Sequence, residues 1–258
     1  FAAFSQSMVL SIPAALAVAD LAPILESVVT AHPMLSARLA SEGGVWRLRS
    51  GVPFDAAAAI ERTLIMASPG SETFSDELRA AHRRALGRLD PASGRLLQAA
   101  IVAGPDAARL VLAIHHLAVD AVSWPILIED LVTAGVAVAQ GQTPAVRAEL
   151  TSMRAWQGAV SAGVTEREAE LAHWLPRLPQ YPTSLGADFD PQRDRLDAVG
   201  SVVGRVSPQA TEAVLSSVPK AFGGNVNDVL VGALARAVRT WQADRGIIDE
   251  RPISLVVE

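Results

Sequence analysis

The sequence predicts an α/β fold with mixed sheets. Short runs rich in branched apolar residues, which favour strands, alternate with longer stretches whose apolar residues recur at helical spacing. Two predicted strands, residues 96–103 and 108–115, are joined by Gly104, Pro105 and Asp106, a strong hairpin signal. Half of the 258 residues are hydrophobic, which is enough for a sizeable core in one large domain or two lobes.

The elements before this hairpin follow from periodicity and capping residues. Residues 8–12 form a short apolar strand that Pro13 ends. Asp20 is predicted to cap a helix that ends at His32 and Pro33. Its apolar stripe consists of Leu21, Ile24, Leu25, Val28 and Val29.

Two further elements are predicted between this helix and the hairpin. Residues 45–49 alternate in polarity between glycines, which predicts a half-buried strand. Residues 75–89 predict a second amphipathic helix. Its inward face would carry Leu78, Ala81, His82, Ala85 and Leu89.

Helices are predicted to follow the hairpin. One runs over residues 124–140, with Ser123 as its N-cap and Pro125 in its first turn, where a missing N–H costs nothing. Residues 152–178 are again helical, and we expect Trp156 and Trp174 to anchor them in the core.

A change in composition divides the chain. Residues 176–200 are rich in proline and charged residues, which indicates a linker. We therefore predict an N-terminal lobe over residues 1–178, a linker over 179–200 and the beginning of a C-terminal lobe over 201–258. Beyond the linker, strands are predicted over residues 201–206 and 253–257, and helices over 208–218 and 227–241.

Composition excludes several classes of function. The net charge is −5 with no basic cluster, so nucleic acid is not an expected partner. The absence of cysteine excludes disulfides, a thiol nucleophile and cysteine–zinc sites, and agrees with a cytoplasmic location. No run of about 18 apolar residues predicts a transmembrane helix. The first residues lack both the features of a signal peptide and a starting Met, so we expect a piece of a longer protein.

The clearest candidate site lies where a predicted buried strand ends and a loop leads into a helix. The strand, residues 109–114, is followed by His115, His116 and Asp120. Loops held by a rigid scaffold often carry chemistry. Adjacent strand residues point to opposite faces, so one histidine should be structural and the other should reach open space. Asp120 would fix the loop, and in apolar company it would need a cation or several N–H groups to stay ionised.

Taken alone, these residues allow other interpretations. Both histidines could be hydrogen-bonded core residues, with Asp120 capping a turn. A metal site is disfavoured because the two histidines point in opposite directions, so no metal is expected. The other histidines stand isolated in the sequence and are expected to be ordinary packing or surface residues; these are His32, His82 and His173.

A family resemblance changes this balance. Residues 114–131, with His115, His116 and Asp120 in an HHxxxD pattern followed by Ser123 and Trp124, closely resemble the core motif of the condensation-like superfamily of nonribosomal peptide synthetases. Further landmarks in family order are residues 4–7, 89–94, 151–156 and 227–230. The resemblance covers nearly the whole chain. It implies a chloramphenicol-acetyltransferase-like two-lobed α/β sandwich, represented here by the N-terminal lobe and the first part of the C-terminal lobe.

Within this superfamily, details resemble the epimerization subgroup. Condensation domains usually have a glycine and then Trp-Ser after the aspartate, whereas here Ser123 precedes Trp124. Residues 227–234 also resemble that subgroup's helix. In epimerization domains a strand leads into Glu-Gly-His-Gly-Arg-Glu, and residues 255–258 would deliver the first glutamate, Glu258, and then stop.

The chain departs from the family pattern in two ways. Ala121 replaces the usual glycine after the aspartate, which would strain the loop if that position required a positive φ. The rest of the glutamate-containing motif and the second half of the C-terminal lobe are missing. A complete family member is considerably longer, which leaves open whether this chain is active by itself.

The resemblance implies epimerization, from L to D, of the α-carbon of an aminoacyl or peptidyl thioester. The substrate would be held on the phosphopantetheine arm of a peptidyl carrier protein domain, beside neighbouring synthetase domains, with no cofactor bound by this domain itself. By resemblance, His116 and Glu258 match the two catalytic residues that transfer protons on opposite faces. Asp120 would support the loop, while Ser123 and Trp124 would begin and anchor the helix.

Two alternatives remain at the level of sequence. The first is a condensation domain, in which His116 promotes attack of an amine on a thioester to form a peptide bond. The second is a non-catalytic member of the same fold that only recruits partners; the presence of His116 argues against it, and Ala121 keeps it open.

Overall fold

A four-stranded mixed sheet organises the N-terminal part of the chain in a computed structural model. The structure describes residues 4–176, 178, 190–195, 198–200, 202–247 and 252–254. The chain divides into two units, residues 1–162 and 163–258. The predicted linker over residues 179–200 falls mostly outside the described residues, so the predicted lobe boundaries stay predictions.

The strands of the main sheet lie in the order β1-β6-β5-β4. Their bounds are Ser5–Ile12 for β1, Ile60–Leu64 for β4, Leu97–Ala103 for β5 and Ala108–His115 for β6. β6 pairs antiparallel with both β1 and β5, and β4 pairs parallel with β5. The predicted hairpin of β5 and β6 is therefore confirmed.

A separate hairpin forms the second sheet. It consists of β2, Arg38–Glu42, and β3, Val45–Arg49, which pair antiparallel. Gly43 and Gly44 form its two-residue turn, with φ of 59° and 80°, as a twisted hairpin requires. The strand prediction for residues 45–49 is confirmed, but its half-buried character is wrong because every residue of β3 is exposed.

Helices cover both faces of the main sheet. On one face, α1 (Val18–Ala31) and α4 (Ser123–Ala139) enclose the main core with alternate residues of β5 and β6. On the other face, α3 (Glu72–Gly87) packs through Phe74 and Ala81. The short helix α2 (Ala56–Ala59) precedes β4, and 3-10 turns span Pro33–Ser36 and Pro91–Ser93. These layers confirm the predicted α/β class.

Two helix starts differ from their predictions. The N-cap of α1 is Ala17, and Asp20 lies inside the first turn, where its carboxylate accepts a hydrogen bond from the Ala17 N–H at 2.9 Å. α3 begins before Ser75 because the Ser71 hydroxyl accepts from the N–H of Phe74. The predicted apolar stripe of α1 is confirmed, since all five of its residues are buried.

The remaining regular elements of the described chain are helices and a 3-10 turn. α5 (Met153–Ala162) ends the first unit, and the second holds α6 (Val164–Arg167), a 3-10 turn (Glu168–Glu170), α7 (Leu171–Trp174), α8 (Pro208–Leu215), α9 (Ser217–Phe222) and α10 (Val226–Asp244). Among the described helices, none is both long and apolar enough to cross a bilayer.

Several predictions for the later part of the chain are wrong. Trp156 and Trp174 are 61% and 52% exposed, so neither anchors a core. Residues 202–206 and 252–254 form no strand, and the remaining positions of those two predicted strands lie outside the described residues. The helix predicted over residues 208–218 is broken at Ser216, between α8 and α9, where the backbone leaves helical geometry.

Candidate active site

The two adjacent histidines at the end of β6 lie in different environments. His115 is fully buried, and its Nδ1 accepts a hydrogen bond from the Leu117 N–H at 3.2 Å. His116 is partly exposed. This difference follows from the strand, because consecutive side chains point to opposite faces of a sheet.

The edge strand β1 holds His116 in place. The His116 N–H donates to the Phe4 carbonyl at 2.9 Å, which extends the β1–β6 pairing by one residue. The ring of Phe4 stacks on the imidazole with centroids 4.5 Å apart and an interplanar angle of 11°. The side chain of Gln6 reaches the imidazole as well, with Gln6 Nε2 at 3.1 Å from His116 Nε2.

Gln6 also joins this site to the start of α4. Its Oε1 accepts a hydrogen bond from the indole Nε1–H of Trp124 at 2.8 Å. Trp124 is only 6% exposed and packs in the main core, as expected for a residue that anchors the helix. Through the amide of Gln6, the partly exposed imidazole of His116 is therefore linked to the buried indole of Trp124.

Sequence reasoning did not single out Phe4 and Gln6 as contacts of His116. They lie within residues 4–7, a stretch that resembles a family landmark. Pairing of β1 with β6 is what brings them beside a residue more than 100 positions away. The sequence therefore contained a landmark that includes Phe4 and Gln6. It did not reveal the strand pairing that places these residues beside His116.

Asp120 and Ser123 form a closed set of hydrogen bonds. The Asp120 carboxylate accepts from the Ser123 hydroxyl at 2.6 Å and from the Ser123 N–H at 2.8 Å. The hydrogen bond from this hydroxyl, and then that from the N–H, lower the pKa of Asp120 below its ordinary value. Asp120 thus fixes the turn that leads into α4.

Two expectations about this turn are wrong. Asp120 is exposed, so it does not lie in apolar company and water solvates its charge. Ser123 is the first residue of α4 rather than its N-cap, because its hydroxyl donates to Asp120. No non-glycine residue in the described part of the chain has a positive φ, so Ala121 does not strain the loop.

The remaining predicted residues lie elsewhere. Glu258 is outside the described residues, so its predicted pairing with His116 stays a prediction. His32 contacts α4, with its Nε2 2.6 Å from Asp130 Oδ2. His82 bonds to the hydroxyl of Ser7 at 2.8 Å. Across the residues that the structure describes, no three histidine or carboxylate side chains are grouped to bind a metal ion.

Sequence comparison finds relatives along nearly the whole chain. The condensation-domain profile matches residues 2–254. One of the linear gramicidin synthase polypeptides of Brevibacillus parabrevis is 29% identical over 254 residues, which are 95% of this chain and 5% of that protein. Tyrocidine synthase 1 of the same organism is 30% identical over 57% of this chain and 14% of its own length. The chain therefore spans a small part of the curated relatives that it matches.

Solved structures share the fold. The epimerization domain from the third module of tyrocidine synthetase B superposes with a TM-score of 0.77 and 22% identity, covering 93% of this chain and 55% of that one. The first condensation domain of the calcium-dependent antibiotic synthetase superposes with a TM-score of 0.70 and 19% identity, covering 94% and 56%. The predicted chloramphenicol-acetyltransferase-like fold is thus confirmed.

Proposed function

This chain belongs to the condensation-domain family, and from that premise and the position of His116 we propose that it serves nonribosomal peptide synthesis as an epimerization domain. The substrate is an aminoacyl or peptidyl thioester on the phosphopantetheine arm of a carrier protein domain. The observation that carries the proposal is the partly exposed imidazole of His116, held at the end of a core strand while His115 is buried.

The order of residues after Asp120 favours epimerization over condensation. Ser123 precedes Trp124, and residues 227–234 resemble the corresponding helix of the epimerization subgroup. In this fold, Ser123 closes the turn with Asp120, and Trp124 bonds to Gln6. Solved structures of both kinds share the fold, so the fold alone does not separate the two activities.

The proposed reaction needs two proton-transfer groups. The thioester carbonyl acidifies the α-carbon, so a base on one face removes its proton and leaves the electron pair in an enolate. An acid on the opposite face then returns a proton with inverted configuration. His116 takes one role and Glu258 the other, each contributing roughly 10²–10⁴-fold to the rate. Asp120 shapes the loop and transfers no proton.

Exchange of the α-proton tests this proposal. The complete synthetase polypeptide that carries this chain is incubated in deuterated water with a carrier-bound aminoacyl thioester, and deuterium at the α-carbon is measured by mass spectrometry. We expect exchange in the wild type and a loss of at least about 10²-fold in His116→Ala. His82→Ala is the matched control and keeps wild-type exchange. Normal exchange in His116→Ala would reject the role of His116.

Condensation is the alternative, because a condensation domain shares the fold at nearly the same coverage. In that reaction His116 promotes attack of an amine on a thioester. The same assay with two differently loaded carrier proteins separates the activities, because condensation yields a dipeptidyl thioester without α-exchange. Carrier binding with neither product would identify a recruiting, non-catalytic domain.

A further inference from the structure

We propose that Gln6, oriented by Trp124, is a positioning residue that selects the tautomer of His116. In this tautomer the proton lies on Nδ1 and the lone pair on Nε2. The inference deepens the proposed function, on which its catalytic consequence rests. The tautomer itself is a property of the resting protein and is measured without substrate.

The direction of each hydrogen bond follows from the chemistry of Trp124. An indole N–H donates and never accepts, so the atom of Gln6 that lies 2.8 Å from Trp124 Nε1 must be the amide oxygen. The amide nitrogen then lies 3.1 Å from His116 Nε2. Because an amide NH₂ only donates, His116 Nε2 must accept, and the ring proton must be on Nδ1.

Rotation of the Gln6 amide by half a turn does not give an equal alternative. The NH₂ group would then face the indole N–H of Trp124, and two donors would meet. Trp124 is 6% exposed, which leaves its N–H little access to water as a substitute acceptor. The buried tryptophan thus fixes which end of the amide the histidine meets.

The imidazole has little freedom to avoid this contact. The stack with Phe4 sets the plane of the ring, and the bond from the His116 N–H to the Phe4 carbonyl sets the backbone. The neighbouring ring provides a contrast. His115 Nδ1 accepts from the Leu117 N–H, so His115 carries its proton on Nε2 when neutral. Two adjacent histidines therefore hold opposite tautomers.

This hydrogen-bond arrangement identifies which nitrogen of His116 reacts. In this tautomer the lone pair lies on Nε2, so Nε2 is the atom of His116 that takes the α-proton when His116 acts as the base. As the C–H bond breaks and the N–H bond forms, Nε2 becomes a donor and no longer accepts from Gln6. The hydrogen bond from the Gln6 amide must therefore break before the proton moves, because Nε2 has a single lone pair.

Nitrogen NMR on the full chain tests the tautomer. With ¹⁵N-labelled histidine, long-range proton–nitrogen spectra in alkaline buffer distinguish pyrrole-type from pyridine-type nitrogens, and His116→Gln identifies the signals of residue 116. We expect pyridine-type Nε2 in His116 and pyrrole-type Nε2 in His115. Gln6→Glu supplies only acceptor oxygens to both Trp124 and His116, so it should invert the tautomer of His116 and leave His115 unchanged.

Two further variants complete the design. Trp124→Phe frees the amide of Gln6 to rotate and should give a mixture of tautomers. Gln157→Glu on α5 makes the same chemical change at an exposed site and should alter neither histidine. Unchanged His115 signals show that each variant is folded. A pyrrole-type Nε2 of His116 in the wild type, or an unchanged tautomer in Gln6→Glu, would overturn the proposal.

Activity shows whether the tautomer matters. Holding a catalytic histidine in the wrong tautomer costs about 10⁴-fold in a serine protease, and we expect Gln6→Glu to lower α-proton exchange by roughly 10²–10⁴-fold. Wild-type exchange in Gln6→Glu would contradict a positioning role for Gln6. Wild-type exchange in His116→Ala would instead reject the proposed function and leave the NMR result standing.

Discussion

At the scale of single residues, one peptide bond separates two histidines with different surroundings. His115 is fully buried, and its Nδ1 accepts a hydrogen bond from a backbone N–H. His116 is partly exposed, and side chains from β1 hold its ring. The strand geometry that divides them requires no special sequence beyond two adjacent histidines at a strand end.

Removing the hydroxyl of Ser123 should raise the pKa of Asp120 toward its ordinary value of 3.8. The folded-state pKa lies below the unfolded one, so these hydrogen bonds stabilise the fold above about pH 3.8. That contribution is lost as the pH falls through the folded-state pKa. The carboxyl ¹³C shift, followed by NMR titration, measures the change in Ser123→Ala.

Stability provides the second readout for this turn. The difference in unfolding free energy between wild type and Ser123→Ala should be present at neutral pH and should shrink as the pH falls below about 3.8. Ser161→Ala removes a hydroxyl from an exposed face of α5 and should leave the Asp120 titration unchanged. A pKa for Asp120 that stays low in Ser123→Ala would contradict the assigned cause.

The sequence correctly predicted those properties of the site residues that local backbone geometry determines. It did not predict the properties that depend on contacts between distant parts of the chain. The opposite orientation of His115 and His116 follows from strand periodicity alone. The role of Asp120 as a loop support was also anticipated, but its exposure was not, because burial depends on which elements cover the loop. Gln6 and His116 are brought together by the pairing of two distant strands, which no local pattern specifies.

At the scale of elements, the main sheet is stabilised unequally on its two faces. One face packs against α1 and α4 in a large core, while the other packs against α3 in two small clusters. Phe74 is the largest buried side chain of α3, whose other buried residues are alanines. Attachment of α3 should therefore depend strongly on this one residue.

Phe74→Ala should destabilise the N-terminal unit by about 3–5 kcal/mol, the usual cost of deleting a buried phenylalanine ring. Denaturant unfolding followed by far-UV circular dichroism measures the effect. Phe222→Ala is the matched control, because that ring is 84% exposed and its removal should cost less than about 0.5 kcal/mol. Equal losses in the two variants would show that Phe74 does not anchor α3.

Sequence patterns located most elements but placed their ends less well. The stripe of α1 and the hairpin of β5 and β6 are set by periodicity and turn residues, which are local. The first turn of α3 is set by the Ser71 hydroxyl, upstream of the predicted start. Trp156 and Trp174 show a different limit of sequence-based prediction. A large apolar residue is buried only where another element covers it, and these two residues are exposed.

At the scale of the whole molecule, the two units differ in how much they bury. Residues 1–162 hold the sheet and the helices on both of its faces. In the described part of residues 163–258, only Pro219 and Gln242 are buried, whereas many large apolar side chains are exposed. Burial of apolar surface must offset the conformational entropy lost on folding, and the described residues of the second unit bury little of it.

The two units should therefore behave differently when they are expressed apart. Residues 1–162 should unfold cooperatively in denaturant, because their core is complete within the unit. Residues 163–258 should show no cooperative transition and should bind an apolar dye through their exposed leucine and phenylalanine side chains. Circular dichroism during a urea titration and dye fluorescence check both statements. A sharp unfolding transition of residues 163–258 alone would mean that helix formation and a few half-buried contacts suffice to fold that unit.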